Sequence, residues 1–185
     1  MRWKKTKLLI FSNMMMRGLL VGGALCIAFT LPALAQTSVG GHIGVLVPWV
    51  TWQGGQTTSV FDYYSIGMPF GVTVRGQSRV FVDFEFIPTV TQVPHQTHET
   101  TLTVDPGVLY KLDHGFTVGL RAAFDINSSR VGFVPLVNKS WKLTKGDGFF
   151  KTFFAEVDLP LKFSRPPGGP ATNPFTIATQ FGLGF

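Results

Sequence analysis

The sequence predicts an all-β fold in which eight antiparallel strands close into an up-and-down transmembrane β-barrel, after a cleaved signal peptide. Apolar residues alternate with polar or small ones along most of the chain, and Gly, Asn, Asp and Pro separate the alternating segments. No segment of the mature chain keeps the apolar spacing of an amphipathic helix. The alternating segments are 11 to 15 residues long. This length exceeds that of most soluble strands and suits a tilted strand that crosses a bilayer.

The chain begins with the features of a secretory signal peptide, which we predict to span 1–35. A basic leader, MRWKKTK, is followed by the apolar run LLVGGALCIAFTL and by PALA, which carries the A-x-A cleavage pattern. The apolar run has 13 residues, and a membrane-spanning helix needs roughly 20. The mature chain is therefore predicted to be one β-barrel domain, 36–185.

The basic charge of the full chain comes from the predicted signal peptide. Five of the 16 Lys and Arg residues lie in it, and the remaining 11 face 10 acidic residues, so the mature net charge is +1. A nearly neutral chain gives no electrostatic reason to expect a nucleic-acid partner, and we expect none. The single cysteine, Cys26, also lies in the signal, so the mature chain would fold without disulfides.

Eight alternating segments define the predicted strands in chain order. They are 38–52, 63–75, 79–92, 100–112, 116–126, 131–143, 149–163 and 175–185. One face of each is apolar, as Ile43, Val45 and Val47 show in the first segment. In lipid every backbone N–H and C=O must be paired inside the protein, so a spanning sheet has to close. An even number of strands allows the first and the last to pair antiparallel.

The connections between the segments alternate in length. Short turns follow the second, fourth and sixth segments, at 76–78, 113–115 and 144–148. The loops after the first, third, fifth and seventh segments are 53–62, 93–99, 127–130 and 164–174. Three of these four loops are longer than any of the turns. This asymmetry predicts periplasmic turns at one end of the barrel and outer loops at the other.

The polar faces of the predicted strands carry charges of both signs in similar number. They are Arg75, Asp83, Glu85, Asp105, Lys111, Arg121, Asp125, Glu156, Asp158 and Lys162. An eight-stranded barrel has an interior just wide enough for side chains to fill, and charges buried there are costly unless they are paired. We expect these residues to form a structural network in the lumen. The alternative is a polar conduit.

The last segment, TIATQFGLGF, carries a pattern of its own. Ile177, Phe181, Leu183 and Phe185 are apolar at alternate positions, and the final residue is aromatic. This resembles the C-terminal assembly signal of bacterial outer-membrane barrel proteins. With the signal peptide and eight strands, the mature chain resembles the small OmpA-like, OmpX-like and OmpW-like barrels. The resemblance implies insertion by the barrel-assembly machinery into the lipid of the outer membrane of a Gram-negative bacterium.

Prolines interrupt six of the predicted strands. They are Pro48, Pro69, Pro88, Pro106, Pro135 and Pro160. Proline lacks a backbone donor and belongs at bulges or edges, whereas a closed barrel has no edge. Two interpretations fit a barrel: bulges that bend the wall, or a lateral opening for hydrophobic solutes, which OmpW-like barrels suggest. A third is a soluble sandwich with true edges.

The mature chain shows no catalytic constellation. His95 and His98 beside Glu99 could bind a surface metal, but no second pair of ligands accompanies them. No serine follows a histidine at the His-x-Ser spacing that resembles lipid A deacylases. We expect no enzymatic activity, no metal and no cofactor.

The sequence therefore supports one principal function and two alternatives. The principal one is a non-enzymatic outer-membrane barrel that is structural or passes small or hydrophobic solutes across the membrane. The first alternative is an outer-membrane enzyme that modifies lipid. The second is a secreted, soluble, lipocalin-like barrel that binds a ligand in its lumen, although the lumen charges argue against an apolar ligand.

Overall fold

A computed structural model describes residues 37–92, 98–126, 128, 130–143, 148–164 and 171–185. The fold of these residues is all-β, and every strand pairing is antiparallel. The strands are β1 (Ser38–Gln53), β2 (Gln56–Ser59), β3 (Tyr64–Gly67), β4 (Phe70–Arg75), β5 (Val80–Gln92), β6 (Glu99–Lys111), β7 (Phe116–Asp125), β8 (Val131–Lys142), β9 (Thr152–Asp158), β10 (Leu161–Phe163) and β11 (Phe175–Gly184). A 3-10 turn, Asp113–Gly115, joins β6 to β7.

Several predictions involve residues outside the described ranges. The predicted signal peptide, 1–35, lies there entirely, as do His95 and most of the segments 93–99, 144–148 and 164–174. Within the ranges that the structure describes, we find no helix with the length and apolar character needed to cross a membrane.

The strands form one sheet whose pairing returns to its starting point. Sequential neighbours pair from β4 to β9, β9 pairs with β11, β11 pairs with β1, and β1 pairs with β4. The ladder between β1 and β11 runs from His42 opposite Gly184 to Trp52 opposite Phe175. Backbone groups that an open edge would leave unpaired are therefore paired between the first and last strands.

The predicted second segment contains two strands, β3 and β4, with a break at Pro69. Gly67 lies opposite Thr89, and Phe70 lies opposite Phe86, so both strands keep one register against β5. The break therefore interrupts the hydrogen-bonded ladder without changing its register, so β3 and β4 are two parts of one segment of the sheet. Proline accounts for the break because it cannot donate to the ladder.

The predicted seventh segment is divided in the same way, into β9 and β10, just before and after Pro160. Asp158 lies opposite Leu136 and Leu161 lies opposite Phe133, so both strands keep one register against β8. β9 and β10 also pair in turn with β11. They are two parts of a second interrupted wall segment.

The other strand prolines sit at smaller irregularities or within the ladders. The β1–β11 register shifts just after Pro48, and the β6–β7 ladder lacks pairs at Asp105 and Pro106. Pro88 and Pro135 remain paired inside β5 and β8. Four strand prolines accept a backbone hydrogen bond through their carbonyl oxygen at 2.9 to 3.0 Å. These features fit the interpretation of bulges and breaks.

The segment expected to be a plain loop, 53–62, contains β2, so this expectation was wrong in part. β2 folds back on the end of β1 as a hairpin, with Gly54 and Gly55 at its tip. Their φ angles are 59° and 79°. Positive φ at both central residues matches the right-handed strand twist and favours glycine. The Ser59 hydroxyl and N–H donate to Asp62 at 2.8 and 2.6 Å and lower the pKa of this exposed carboxyl.

The two ends of the closed sheet differ in their connections. We call the end with the β4–β5, β6–β7 and β8–β9 connections the turn end, and the opposite end, where the β1–β2 hairpin lies, the loop end. Phe185 is at the turn end, where its N–H and carbonyl oxygen pair with Gly41 at 2.9 and 3.0 Å.

The interior of the closed sheet is polar and its outer face is apolar. The buried polar residues are Ser65, Thr73, Asp83, Glu85, Thr103, Asp105, Arg121, Asp125, Glu156, Asp158 and Gln180. The outer face instead exposes large hydrophobic side chains along every long strand, such as Phe84, Leu120 and Val137, which are 40 to 50% exposed. A sheet that folds in water shows the opposite arrangement, with its apolar face buried.

Candidate functional site

The candidate site is a cluster of buried charges at the middle of the interior. Residues two apart on a strand share a face. Asp83 and Glu85 therefore both point inward from β5, and Glu156 and Asp158 do so from β9. Arg121 reaches the same space from β7. We call these five residues the Arg121 cluster.

Arg121 holds the cluster together. Its Nε and Nη2 donate to Asp83 Oδ2 at 3.0 and 2.8 Å, and its Nη1 donates to Glu156 Oε1 at 2.7 Å. Nη1 also lies 3.1 Å from Glu85 Oε2 and 3.8 Å from Asp158 Oδ1. Only 2% of Arg121 is exposed. One guanidinium thus links strands on two sides of the interior, because its planar fork can donate in several directions.

Neutral and titratable side chains complete the cluster from β1, β4 and β11. His42 Nε2 lies 2.8 Å from Glu85 Oε1, and Gln180 Nε2 donates to the same oxygen at 2.8 Å. Thr73 Oγ1 donates to Asp83 Oδ1 at 2.7 Å. Alternation along the sequence already placed His42 and Gln180 on the polar faces of their strands. The charge network predicted from the sequence omitted both, because it was limited to Asp, Glu, Lys and Arg.

The position of the His42 ring also explains why residue 71 is a glycine. A Cβ at residue 71 would lie 2.3 to 2.6 Å from the His42 ring. Any side chain there would push the imidazole away from Glu85. Gly71 is therefore required by close approach.

A second charge pair lies toward the loop end. Lys162 Nζ donates to Asp125 Oδ1 at 2.6 Å and to Thr103 Oγ1 at 3.2 Å. Thr103 Oγ1 in turn donates to Asp125 Oδ1 at 2.7 Å. This pair joins β6, β7 and β10 across the interior.

The interior contains more acidic than basic groups. Eight of the ten predicted network residues lie inside, but Arg75 and Lys111 are exposed at the turn end. Six carboxylates therefore share the interior with Arg121, Lys162 and His42. Asp105 Oδ1 and both carboxylate oxygens of Asp158 have no hydrogen-bond partner among the described residues. The near balance of positive and negative charge expected for the whole network therefore does not hold for the residues inside the sheet.

Arg121 separates two interior cavities. A cavity of about 130 Å³ on the turn side is lined by His42, Asp83 and Arg121. A second one, of about 70 Å³ on the loop side, is lined by Asp105, Asp158 and Arg121. The guanidinium and its carboxylates stand between these spaces.

The predicted assembly-signal residues lie on the outer face of β11 and just beyond it. Phe181 is 46% exposed and Phe185 is 40% exposed, whereas Ile177 and Leu183 are half-buried. Phe185 stacks on Phe149, with 4.8 Å between ring centroids. The alternate residues of β11 point inward, as the alternation predicted.

The described residues include no group of three His, Cys, Asp or Glu side chains that could hold a metal ion. The contacts of Arg121 and Lys162 pair charges and cross-link strands. Comparisons with protein-family models, with curated proteins and with solved structures find no match to this chain.

Proposed function

We propose that this chain is a small outer-membrane β-barrel protein whose wall crosses the bilayer eight times and whose lumen is closed by the Arg121 cluster. The observation that carries the proposal is the inverted burial, with charges inside a closed sheet and large hydrophobic side chains outside. Soluble monomers rarely expose a contiguous apolar patch of more than a few hundred Å², whereas large hydrophobic side chains are exposed along every long strand here. In a bilayer the same surface meets lipid.

The strand registers support a count of eight crossings. β3 with β4 forms one crossing and β9 with β10 forms another, because each pair keeps a single register. β1, β5, β6, β7, β8 and β11 supply the other six. β2 extends the first crossing as a hairpin beyond the wall. The even number agrees with bacterial barrels whose two chain ends lie on one side.

Aromatic side chains at both ends of the outer face support the same placement. At the loop end they are Trp49, Trp52 and Tyr64, and at the turn end Tyr110, Phe116, Trp141, Phe149 and Phe185. Lys139 Nζ lies 4.3 Å from the Phe116 ring centroid and 5.9 Å from that of Trp141, on the outer face. Amphipathic rings and lysines with apolar stems are favoured at the level of lipid headgroups.

The favoured role is structural, since the Arg121 cluster interrupts the lumen. Passage of hydrophobic solutes through the wall is the second candidate, and one observation favours it. The Pro48 register shift and the breaks at Pro69 and Pro160 all lie on β1 or on the crossings beside the β1–β11 closure. Lateral opening would be easiest where wall hydrogen bonds are fewest.

Membrane fractionation combined with heat-modifiable migration in gels tests the proposal. We expect the mature chain in the outer-membrane fraction, with a folded band that shifts on boiling. A chain recovered soluble from the periplasm would overturn it and favour the lipocalin-like alternative.

A disulfide across the closure separates the two roles. The mature chain has no cysteine, so Val47→Cys with Thr179→Cys, which face each other across β1 and β11, would lock that seam. Uptake of a hydrophobic dye by cells should fall on oxidation if solutes pass there. It should stay unchanged if the barrel is structural.

A further inference from the structure

The mouth at the turn end is strongly basic. It forms a cavity of about 760 Å³ whose lining includes five cationic side chains: Arg75, Arg79, Lys111, Lys142 and Lys151. Within the described part of the chain, Asp113 is the one acidic residue in this lining. The cations flank the three turn-end connections, β4–β5, β6–β7 and β8–β9, so they are spread around the opening. We call these five residues the basic mouth.

The opposite mouth provides an internal comparison. The cavity at the loop end, of about 470 Å³, is lined by Asp62, Glu99 and Asp125 against Arg130 and Lys162. Threonine and serine hydroxyls supply much of its remaining surface. Counted over their described lining residues, the two mouths therefore carry net charges of opposite sign, although the whole predicted mature chain is nearly neutral.

Among the described residues, Asp113 is the one side-chain carboxylate that forms an ion pair with the basic mouth. Arg79 Nη2 donates to Asp113 Oδ1 at 3.2 Å, and both side chains are largely exposed. Arg75 lies beside the Phe81 ring, 5.4 Å from its guanidinium carbon, and also interacts electrostatically with Asp83 in the interior. Like charges around one opening raise the local potential, and low-dielectric walls focus it into the cavity. Such a site attracts anions and favours those that contact several cations at once.

We propose that the basic mouth binds a multivalent anion with phosphate or carboxylate groups. Two sources could supply this chemistry, a soluble anion or the headgroup of an anionic lipid. The geometry favours the soluble source, because all five cations line the inside of the opening. Lys139 is the turn-end cation on the outer face, where lipid would lie. This inference does not rest on membrane insertion, since it depends only on which side chains line the cavity.

Calorimetric titration with sodium tripolyphosphate tests the inference on mature protein folded in a zwitterionic detergent. We expect saturable binding at low ionic strength that weakens as salt is added. Lys111→Gln and Lys151→Gln should each lower the affinity, by roughly two- to fivefold per charge removed. Maltotriose, which is uncharged, should not bind in this mouth.

Two matched variants act as controls. Lys139→Gln removes one charge at the same end but on the outer face, and Arg130→Gln removes one at the opposite mouth. Neither should change the affinity for tripolyphosphate, and heat-modifiable migration confirms that each variant is folded. An equal loss of affinity in either control would mean non-specific attraction and would overturn the site.

Lipid nanodiscs distinguish the two sources. Tripolyphosphate should bind equally well to protein in phosphatidylcholine discs and in discs that contain phosphatidylglycerol at matched ionic strength. Loss of binding only in the phosphatidylglycerol discs would assign the mouth to a lipid headgroup instead. Absence of binding in detergent and in both kinds of disc would reject an anion site altogether.

Discussion

Replacing Arg121 by methionine tests whether the buried cluster holds the fold together. Methionine keeps much of the arginine stem and removes the charge with all its donors. Asp83, Glu85 and Glu156 lie 2.7 to 3.1 Å from the guanidinium nitrogens, so three carboxylates would lose their cation at once. Breaking a buried ion pair by removing one partner typically costs about 3 to 5 kcal/mol.

The expected loss in Arg121→Met therefore lies at or above about 3 kcal/mol. Urea unfolding in lipid vesicles, followed by tryptophan fluorescence and by heat-modifiable migration, measures it. Lys162→Met is the matched control, because that side chain is 23% exposed and, among the described residues, its ion pair is with Asp125. We expect a clearly smaller loss there.

A compensated variant separates charge from packing. Arg121→Met combined with Asp83→Asn and Glu156→Gln removes two of the stranded carboxylates and should recover much of the lost stability. The reasoning is refuted if Arg121→Met unfolds at the same urea concentration as the unmodified chain. It is also refuted if the compensated variant is no more stable than the single one.

Three further predictions concern the wall and the outer hairpin. If the proposed outer-membrane placement holds, deleting Phe185 should lower the yield of folded protein in that membrane, because its ring stacks on Phe149 and its backbone pairs with β1; normal assembly in cells would show that Phe185 is dispensable. Gly71→Ala should cost about 1 to 3 kcal/mol in urea unfolding, since the new methyl displaces the His42 ring, and an unchanged midpoint would contradict this contact. Asp62 should titrate below its ordinary pKa of 3.8, because Ser59 donates to the carboxylate. The ionised Asp62 carboxylate therefore stabilises the hairpin fully above the ordinary pKa of 3.8, and this stabilisation is lost as the pH falls through the lowered pKa of the folded protein. An Asp62 titration by NMR with a midpoint at or above 3.8 would contradict the Ser59 contact.

Local sequence patterns predicted the wall well because they depend on neighbours along the chain. Alternation located every long strand and the inward face that carries Asp83 and Glu85. Proline chemistry pointed to Pro69 and Pro160, where the structure breaks two wall segments. β2 was missed because the polar segment 53–62 has no apolar alternation, and its signal was limited to the Gly54–Gly55 turn.

The candidate site was predicted only in part, because the depth of a residue inside the sheet depends on strand register. Arg75 and Arg121 both occupy inward positions of their strands, and nothing local distinguishes them. Register places Arg121 at mid-depth beside four carboxylates and leaves Arg75 at the open turn end. The predicted mature chain has nearly equal numbers of acidic and basic residues, but the fold places most acidic ones in the interior and gathers five basic ones at one mouth.

The sequence by itself determined the strand segments, the inward and outward faces and the apolar alternation of β11, since period-2 geometry is a local property. The tertiary structure decided the rest: that β1 pairs with β11, that Arg121 meets carboxylates from two other strands, and that five cations surround one opening. These features join residues far apart in the chain, such as His42 and Gly184, which are 142 positions apart. No local pattern can specify such pairings before the sheet has closed.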